Sequence, residues 1–343
     1  MKIKENQDIQ AFISHCLNNL ANERKNDFVG LKITKKNHAQ IQRQMYKANF
    51  GEFSDDPNTW PNLFISTDDF KNSYYHQTIN LKQIKYKDFA FDHIKLSKGI
   101  LFNADDMIFD EKRELNDWMK LRALDQDYNA IVLYQNNDIW MIDAPSEANT
   151  IDPKAKKAHG NVLTFGLGIG YFALLASAND NVKSITVIER SQAVIEMFKS
   201  CILPQFPNQD KIKIINDDAF NLFKQEYISQ FDYVFVDIWQ SNNDGLLIIE
   251  KLLKQYNPPL YKVDFWIENA CLEIMPTLIL LYFKKLTNPN YHHPLMKRYR
   301  KQYQLINKYF TSLDIVVTDV ETLKNYMYDR KILRDVLAHK KSR

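Results

Sequence analysis

Cysteine is scarce in this chain, and its placement excludes two kinds of cross-linked protein. The 343 residues include only Cys16, Cys201 and Cys271, which lie far apart and form no CxxC pair. Disulfide-bonded domains need several pairs of cysteines, and zinc modules need closely spaced cysteines or histidines. We therefore predict no metal site, and we expect three buried thiols in a reducing compartment.

Long hydrophobic runs are also missing. The most apolar stretch, MPTLILLYF, is about half as long as a bilayer-spanning helix. The first residues, MKIKENQDIQAF, lack the apolar segment of a signal peptide. The sequence therefore predicts a soluble, cytoplasmic protein without a membrane partner.

Strong net charge is absent, because the formal charge is only +3. The field of the whole chain thus gives no indication of a nucleic-acid binder. A local excess occurs at one end, where 14 Lys and Arg stand against 5 Asp and Glu from Lys284 onward. This basic C-terminal region is typical of a solvated helix face and also fits contact with a nucleic-acid backbone, and the sequence leaves both interpretations open.

Glycine is rare as well, with eight in the chain, yet three stand in one turn. In NVLTFGLGIGYFALLAS, Gly166, Gly168 and Gly170 alternate with apolar residues between a strand-like run and a helix-like run. Glycine lets the backbone pass close to a ligand, and the first N–H groups of the following helix have no partner within that helix. The turn therefore predicts a ligand site, although tight packing also requires glycines.

Short apolar segments alternate with amphipathic segments after this turn. Strand-like segments such as KSITVIER, KIKIINDDA and FDYVFVDIW are separated by helix-like segments such as SQAVIEMFKSCI, NLFKQEYI and DGLLIIEKLLKQY. This alternation predicts a parallel sheet covered by helices on both faces.

The remainder of the chain is predicted to form three further regions. We expect a helical N-terminal region over 1–77, a strand-rich region over 78–150, the α/β domain over 151–270 and a mostly helical, basic extension over 271–343. The strand-rich region includes a candidate hairpin, AIVLYQNNDIWMID, and one predicted helix, EKRELNDWMKLRAL. The segment YKVDFWIENACLEIMPTLILLYFKKL fits either a strand followed by a helix or one long helix.

Acidic residues stand at the ends of the predicted strands, where ligands of open α/β sheets bind. Glu189 ends one strand and can accept hydrogen bonds from both hydroxyls of a ribose. Asp217 and Asp218 end the next, with the Ala219 N–H beside them, and fit an adenine ring. Asp237 ends a third strand. The alternatives are a surface glutamate paired with Arg190, and a turn or helix cap for the two adjacent aspartates.

These motifs resemble the class I S-adenosylmethionine-dependent methyltransferases, and within that superfamily they are similar to the spermidine synthase branch. The likeness covers about residues 158–255. It implies a Rossmann-like methyltransferase sheet and S-adenosylmethionine as the cofactor. The resemblance also implies the site residues: a cofactor loop of Gly166, Gly168 and Gly170, a ribose ligand Glu189, an adenine ligand Asp218 assisted by Asp217 and Ala219, and a catalytic Asp237 that faces the acceptor.

The sequence departs from both branches of the superfamily. Thr164 replaces the acid that helps to anchor the methionine amine in many methyltransferases. Spermidine synthases have Asp where this chain has Ile169, and Asp-x-x-Asp-Pro where it has DIWQSNN. The residue that anchors the cofactor amine is therefore not located by the sequence.

The motifs support three hypotheses about the function of the protein. The first is a methyltransferase for an unidentified acceptor, which the sequence does not assign to nucleic acids, proteins or small molecules. The second is an aminopropyltransferase that uses decarboxylated S-adenosylmethionine, and the third is a non-catalytic binding protein on the same fold. A nicotinamide-dependent dehydrogenase is disfavoured, because Tyr171 stands where its fingerprint needs Gly or Ala.

Overall fold

The computed structural model describes residues 1–21, 28–48, 50, 52–81, 85–87, 89–109, 115, 119–135 and 138–338. None of the helices in these ranges is both long and apolar enough to cross a membrane.

The N-terminal region consists of helices with two short strands. Its elements are β1 (Lys2–Ile3), α1 (Gln7–Ala21), α2 (His38–Lys47), β2 (Phe64–Ile65), α3 (Thr67–Lys71) and α4 (Tyr74–Thr78). The apolar side of α1, with Ile9, Phe12 and Cys16, is buried in the same core as the C-terminal helices. The two ends of the chain therefore pack together.

The next region is mainly strands. These are β3 (Lys85–Tyr86), β4 (Phe89–Leu96), β5 (Phe102–Asn103), β6 (Leu121–Leu124), β7 (Tyr128–Gln135) and β8 (Asp138–Ile142). Strands β3, β4, β7 and β8 form one antiparallel sheet in that order. The predicted hairpin is confirmed as β7 and β8, with Gln135 opposite Asp138. Residues 136–137, which would form its turn, lie outside the described residues.

The α/β domain has the predicted alternation. Its elements are α5 (Pro145–Lys157), β9 (Gly160–Phe165), α6 (Tyr171–Ala178), β10 (Val182–Glu189), α7 (Gln192–Cys201), β11 (Ile212–Asn216), α8 (Ala219–Leu222), α9 (Gln225–Ile228), β12 (Tyr233–Val236), α10 (Asn242–Gln255) and β13 (Val263–Phe265). All neighbouring strands are parallel, in the order β11-β10-β9-β12-β13. The order reverses at β9, which is consistent with a Rossmann-like sheet.

Helices make up most of the C-terminal region. They are α11 (Glu268–Cys271), α12 (Ile274–Thr287), α13 (Pro294–Arg298), α14 (Arg300–Thr311), α15 (Val320–Tyr328) and α16 (Arg330–Ala338), with β14 (Val316–Val317) before α15. Strand β14 pairs with β1 in parallel. Arg334 of α16 binds Glu268 through two hydrogen bonds of 2.6 and 2.7 Å, and both side chains are buried. This pair fixes the last helix against the end of the sheet.

The helix predicted for EKRELNDWMKLRAL is wrong, because none of its described residues (115 and 119–124) is helical. Leu121–Leu124 form β6, which pairs with β2 on one side and β5 on the other. All four residues are buried, and burial between two strands overrides the helix propensity of Leu and Ala. Residues 111–114 and 116–118 of that prediction lie outside the described residues.

Several other predictions needed correction. NLFKQEYI, which was predicted as one helix, is divided between two four-residue helices, α8 and α9. The uncertain segment after residue 260 contains a strand, β13, followed by α11 and α12, so the single long helix is excluded. The break between strand and helices falls at Ile267, whose φ is +40°. Cys16 and Cys271 are buried as expected, whereas Cys201 is only half-buried.

Candidate active site

A cavity of about 550 Å³ opens at the carboxyl ends of the parallel strands. Its wall is formed by the residues that follow β9, β10, β11 and β12, together with β8 and the start of α5. The volume lies in the range of small-molecule sites. Seven carboxyl groups line this wall, and Arg190 is the single basic residue among the described residues of the wall. The cavity therefore favours a positively charged ligand.

The three glycines of the turn have different roles. Gly166 (φ +97°) lies directly against the backbone carbonyl of Asp237, so a methyl group there would collide with β12. Gly170 (φ +74°) lies against the ring of Phe198 and does not line the cavity. Gly168 (φ +52°) lines the wall, and an added Cβ there would meet only the flexible end of the Met141 side chain, at 3.3 Å. The turn is thus built partly for packing.

Replacing these glycines with alanine should separate packing from ligand binding. Gly166→Ala is expected to lower the free energy of unfolding by about 3 kcal/mol, because the new methyl group meets backbone and φ is positive. Gly168→Ala should lower the free energy of unfolding by only about 1 kcal/mol. It should weaken ligand binding more than Gly166→Ala does. Urea unfolding and calorimetric titration measure the two effects. A larger loss of stability in Gly168→Ala would contradict this assignment.

Glu189 is a buried residue of the wall and not a surface glutamate. Its two carboxyl oxygens accept hydrogen bonds from the backbone N–H groups of Leu167 (3.2 Å) and Ser191 (2.8 Å). Burial raises the pKa of Glu189 above its ordinary value, and these two hydrogen bonds oppose the rise. The carboxyl group is therefore held in one orientation at the end of β10. Each oxygen keeps one lone pair for a further donor.

Asp217 and Asp218 lie in the wall and also serve as local caps. Asp218 caps α8 by accepting a hydrogen bond from Phe220 N–H at 2.8 Å. Asp217 accepts from Asp218 N–H and from the Asn221 side chain, which lowers the pKa of Asp217. The capping alternative is thus correct, and it does not exclude a ligand. Ala219, also in the wall, is the first residue of α8, and its N–H belongs to the unpaired first turn.

Asp237 follows β12 directly and lies beside the glycine turn. Its N–H donates to the Phe165 carbonyl at 2.9 Å, which continues the pairing between β12 and β9. Burial raises the pKa of its carboxyl group to about 7. A carboxyl group with this pKa exchanges protons near neutral pH, which suits a general base.

Three further carboxyl groups of the wall, those of Asp143, Glu147 and Asp244, were not predicted from the sequence. Glu147, in the first turn of α5, and Asp143, between β8 and α5, both line the cavity. Burial and the charges of Asp237 and Asp143 raise the pKa of Glu147 to about 8. Asp143 is buried, and it accepts hydrogen bonds from His76 Nε2 (2.6 Å) and the Tyr128 hydroxyl (2.9 Å). No group of three potential metal ligands was found in the described part of the chain.

The sequence analysis assigns no site residue to the segment 145–160. The available signal was a helix start, because Pro145 stands at the first helical position and Glu147 follows in the first turn. That signal predicts a helix but not its direction toward the cavity. The direction depends on Met141 of β8 packing against Gly168, a contact between distant parts of the chain.

Comparisons with known proteins add little to this description. No protein-family model and no curated protein matched the sequence. Among solved structures, a spermidine synthase from Thermotoga maritima aligns at 14% identity and a TM-score of 0.26, over 38% of this chain and 47% of its own. A protein assigned as a caffeoyl-CoA O-methyltransferase from Staphylococcus aureus aligns at 19% identity and a TM-score of 0.28, over 51% of this chain and 80% of its own. The chain thus spans under half the length of the spermidine synthase, and both scores are too low to support a functional conclusion.

Proposed function

We propose that the protein is an S-adenosylmethionine-dependent methyltransferase. The observation that carries the proposal is Glu189, a buried carboxyl group oriented by two backbone N–H groups at the end of the strand beside the glycine turn. A rigid acceptor at this place suits the two hydroxyls of a ribose.

The other residues of the wall fit the same cofactor. Gly168 places side-chain-free backbone in the wall, and Asp217, Asp218 and the Ala219 N–H offer acceptors and a donor to an adenine ring. The acid that the family places at Thr164 is missing, but Asp143 and Glu147 supply carboxyl groups from β8 and α5. They are available to a methionine amine or to the acceptor.

The acceptor favoured by this wall is an amine. S-Adenosylmethionine supplies a methyl group on a sulfonium, which is a good leaving group, so the protein mainly positions the nucleophile and removes its proton. Asp237 is the residue proposed to take that proton. Glu147, with its higher pKa, is mostly protonated at pH 7 and can donate a hydrogen bond.

Aminopropyl transfer is the second candidate function, and the excess of carboxyl groups in the wall favours it as well. A diamine acceptor carries two positive charges, which the ionised carboxyl groups of the wall would stabilise. Mass spectrometry of reactions with putrescine separates the two candidates, because only aminopropyl transfer forms spermidine.

Calorimetric titration with S-adenosylmethionine, S-adenosylhomocysteine, decarboxylated S-adenosylmethionine and NAD tests the proposal. We expect micromolar binding of the first two, weakened at least about tenfold in Glu189→Gln, which loses one ribose acceptor. Glu226→Gln, an exposed position, is the control and should bind normally. Binding of the decarboxylated cofactor alone would favour aminopropyl transfer. Binding of NAD alone, or of none of the four, would refute both.

A further inference from the structure

The surface of α13 and α14 is basic, and neither helix contains an acidic residue. From Lys284 to Ser312 the chain has seven Lys and Arg, two His and no Asp or Glu. Apart from Pro294, the exposed residues of the two helices form what we call the basic stripe: Lys297, Arg298, Arg300, Lys301, Gln304, Asn307, Lys308 and Thr311.

Every side chain of the basic stripe can donate a hydrogen bond. On α14 its members recur at helical spacing, so they follow one face for about 16 Å, from Arg300 to Thr311. Every member carries an N–H or O–H group, and the amides and hydroxyl between the charges are side chains that commonly bind phosphate oxygens. A merely solvated helix face normally mixes charges of both signs.

Most charges of the stripe are not neutralised by the protein. Lys301 pairs with the buried Glu250 at 2.9 Å. Among the described residues, no carboxyl group pairs with Lys297, Arg300 or Lys308. Arg298 lies over the ring of Tyr299, 5.5 Å from its centroid. The stripe therefore presents about four unpaired positive charges to an external partner.

The remaining chemistry of this surface distinguishes the kinds of anionic partner. The apolar side of α14, including Leu305, Ile306 and Phe310, is buried in the core. No large hydrophobic side chain is exposed between residues 284 and 312, although peripheral membrane helices insert such side chains into lipid. Protein interfaces likewise centre on aromatic or aliphatic anchors. A nucleic-acid backbone needs neither.

We propose that the basic stripe of α13 and α14 binds nucleic acid through its phosphate backbone, without reading the base sequence. The stripe offers cationic and neutral donors, which on α14 follow one face, and no exposed apolar anchor. This binding is independent of the transferase proposal, because it requires neither the cofactor nor the cavity.

Fluorescence anisotropy with labelled oligonucleotides tests the proposal on the full chain. The probes are a single-stranded RNA and a duplex DNA of about 20 nucleotides per strand, titrated at several salt concentrations. We expect a micromolar Kd at low salt and a log–log salt slope near −3 for the single strand, from about four phosphate contacts. The variant Lys297→Glu/Arg300→Glu/Lys308→Glu should weaken binding at least about tenfold.

A second charge-reversal variant controls for the overall change in charge. Lys32→Glu/Lys35→Glu/Lys36→Glu reverses three exposed lysines in another region and should bind as the wild type does. Thermal unfolding and cofactor titration verify that both variants fold. Equal losses in the two variants, binding that is insensitive to salt, or absence of binding to both probes would overturn the proposal. Binding to phosphatidylserine vesicles in place of nucleic acid would also overturn it.

Discussion

Replacing Asp237 with asparagine is expected to slow methyl transfer at least about 100-fold while the affinity for S-adenosylmethionine changes less than about threefold. The size of the effect is that of removing a general base. Asparagine has nearly the same shape as aspartate but cannot take a proton. The backbone of Asp237, which supports the glycine turn through its N–H bond to Phe165, is unchanged.

The rate is measured as S-adenosylhomocysteine formed with a panel of amines, using the amine that the wild type methylates fastest. Asp232→Asn is the matched control, because Asp232 precedes the same strand at its other end, outside the cavity wall, and binds Asn161 N–H. It should leave turnover within about twofold. Equal losses of turnover and cofactor affinity in Asp237→Asn would make Asp237 a binding residue.

The dependence of turnover on pH tests the role of Asp237 a second time. A base with a pKa of about 7 predicts that turnover rises with pH through neutrality and then levels off. A faster reaction of the Asp237→Asn variant at high pH, where a free amine is already deprotonated, would support proton removal as the role of this residue. A profile that is flat in the wild type would argue against it.

The sequence predicted the sheet well, because the signals for it are local. Apolar segments of strand length alternate with amphipathic segments, and parallel strands bring their carboxyl ends to one edge of the sheet. Glu189, Asp217, Asp218 and Asp237 therefore share one cavity wall, as expected. Their assignment to a cofactor stays a prediction.

The residues that the sequence could not place depend on contacts between distant segments. Asp143 and Glu147 line the cavity because the hairpin of β7 and β8 packs against the glycine turn, and no local pattern encodes that contact. Gly170 was assigned to the cofactor loop, but its space is occupied by Phe198, which lies 28 residues later. Long-range packing thus explains why Asp143 and Glu147 were not predicted, and the assignment of Gly170 to the cofactor loop stays a prediction.

Glu147→Gln is expected to stabilise the ligand-free protein at alkaline pH. The pKa of Glu147 in the folded protein is about 8, well above its ordinary value of 4.5, because the group is buried beside Asp237 and Asp143. The folded state therefore binds this proton more tightly than the unfolded state. By linkage, the free energy of unfolding of the wild type falls as pH rises from about 4.5 to about 8.

Glutamine removes this pH dependence, because it resembles the protonated acid at every pH. The difference between variant and wild type should be near zero at pH 4.5, grow with pH and reach a plateau above pH 8. The two pKa values set an upper limit of about 5 kcal/mol, and relaxation and water in the cavity reduce the expected gain to about 2 kcal/mol. Urea unfolding at pH 5 and pH 8.5 measures the difference.

The exposed variant Glu226→Gln should show no comparable gain at either pH. A cationic ligand should reverse the order of stability, since it binds the ionised wild-type cavity more tightly than the variant and stabilises the folded state by mass action. A gain of equal size at both pH values would mean that glutamine improves packing. Lower stability of Glu147→Gln at pH 8.5 would mean that the ionised carboxyl group of Glu147 has a favourable partner in the folded protein. The carboxyl groups of the wall would then no longer favour an amine acceptor.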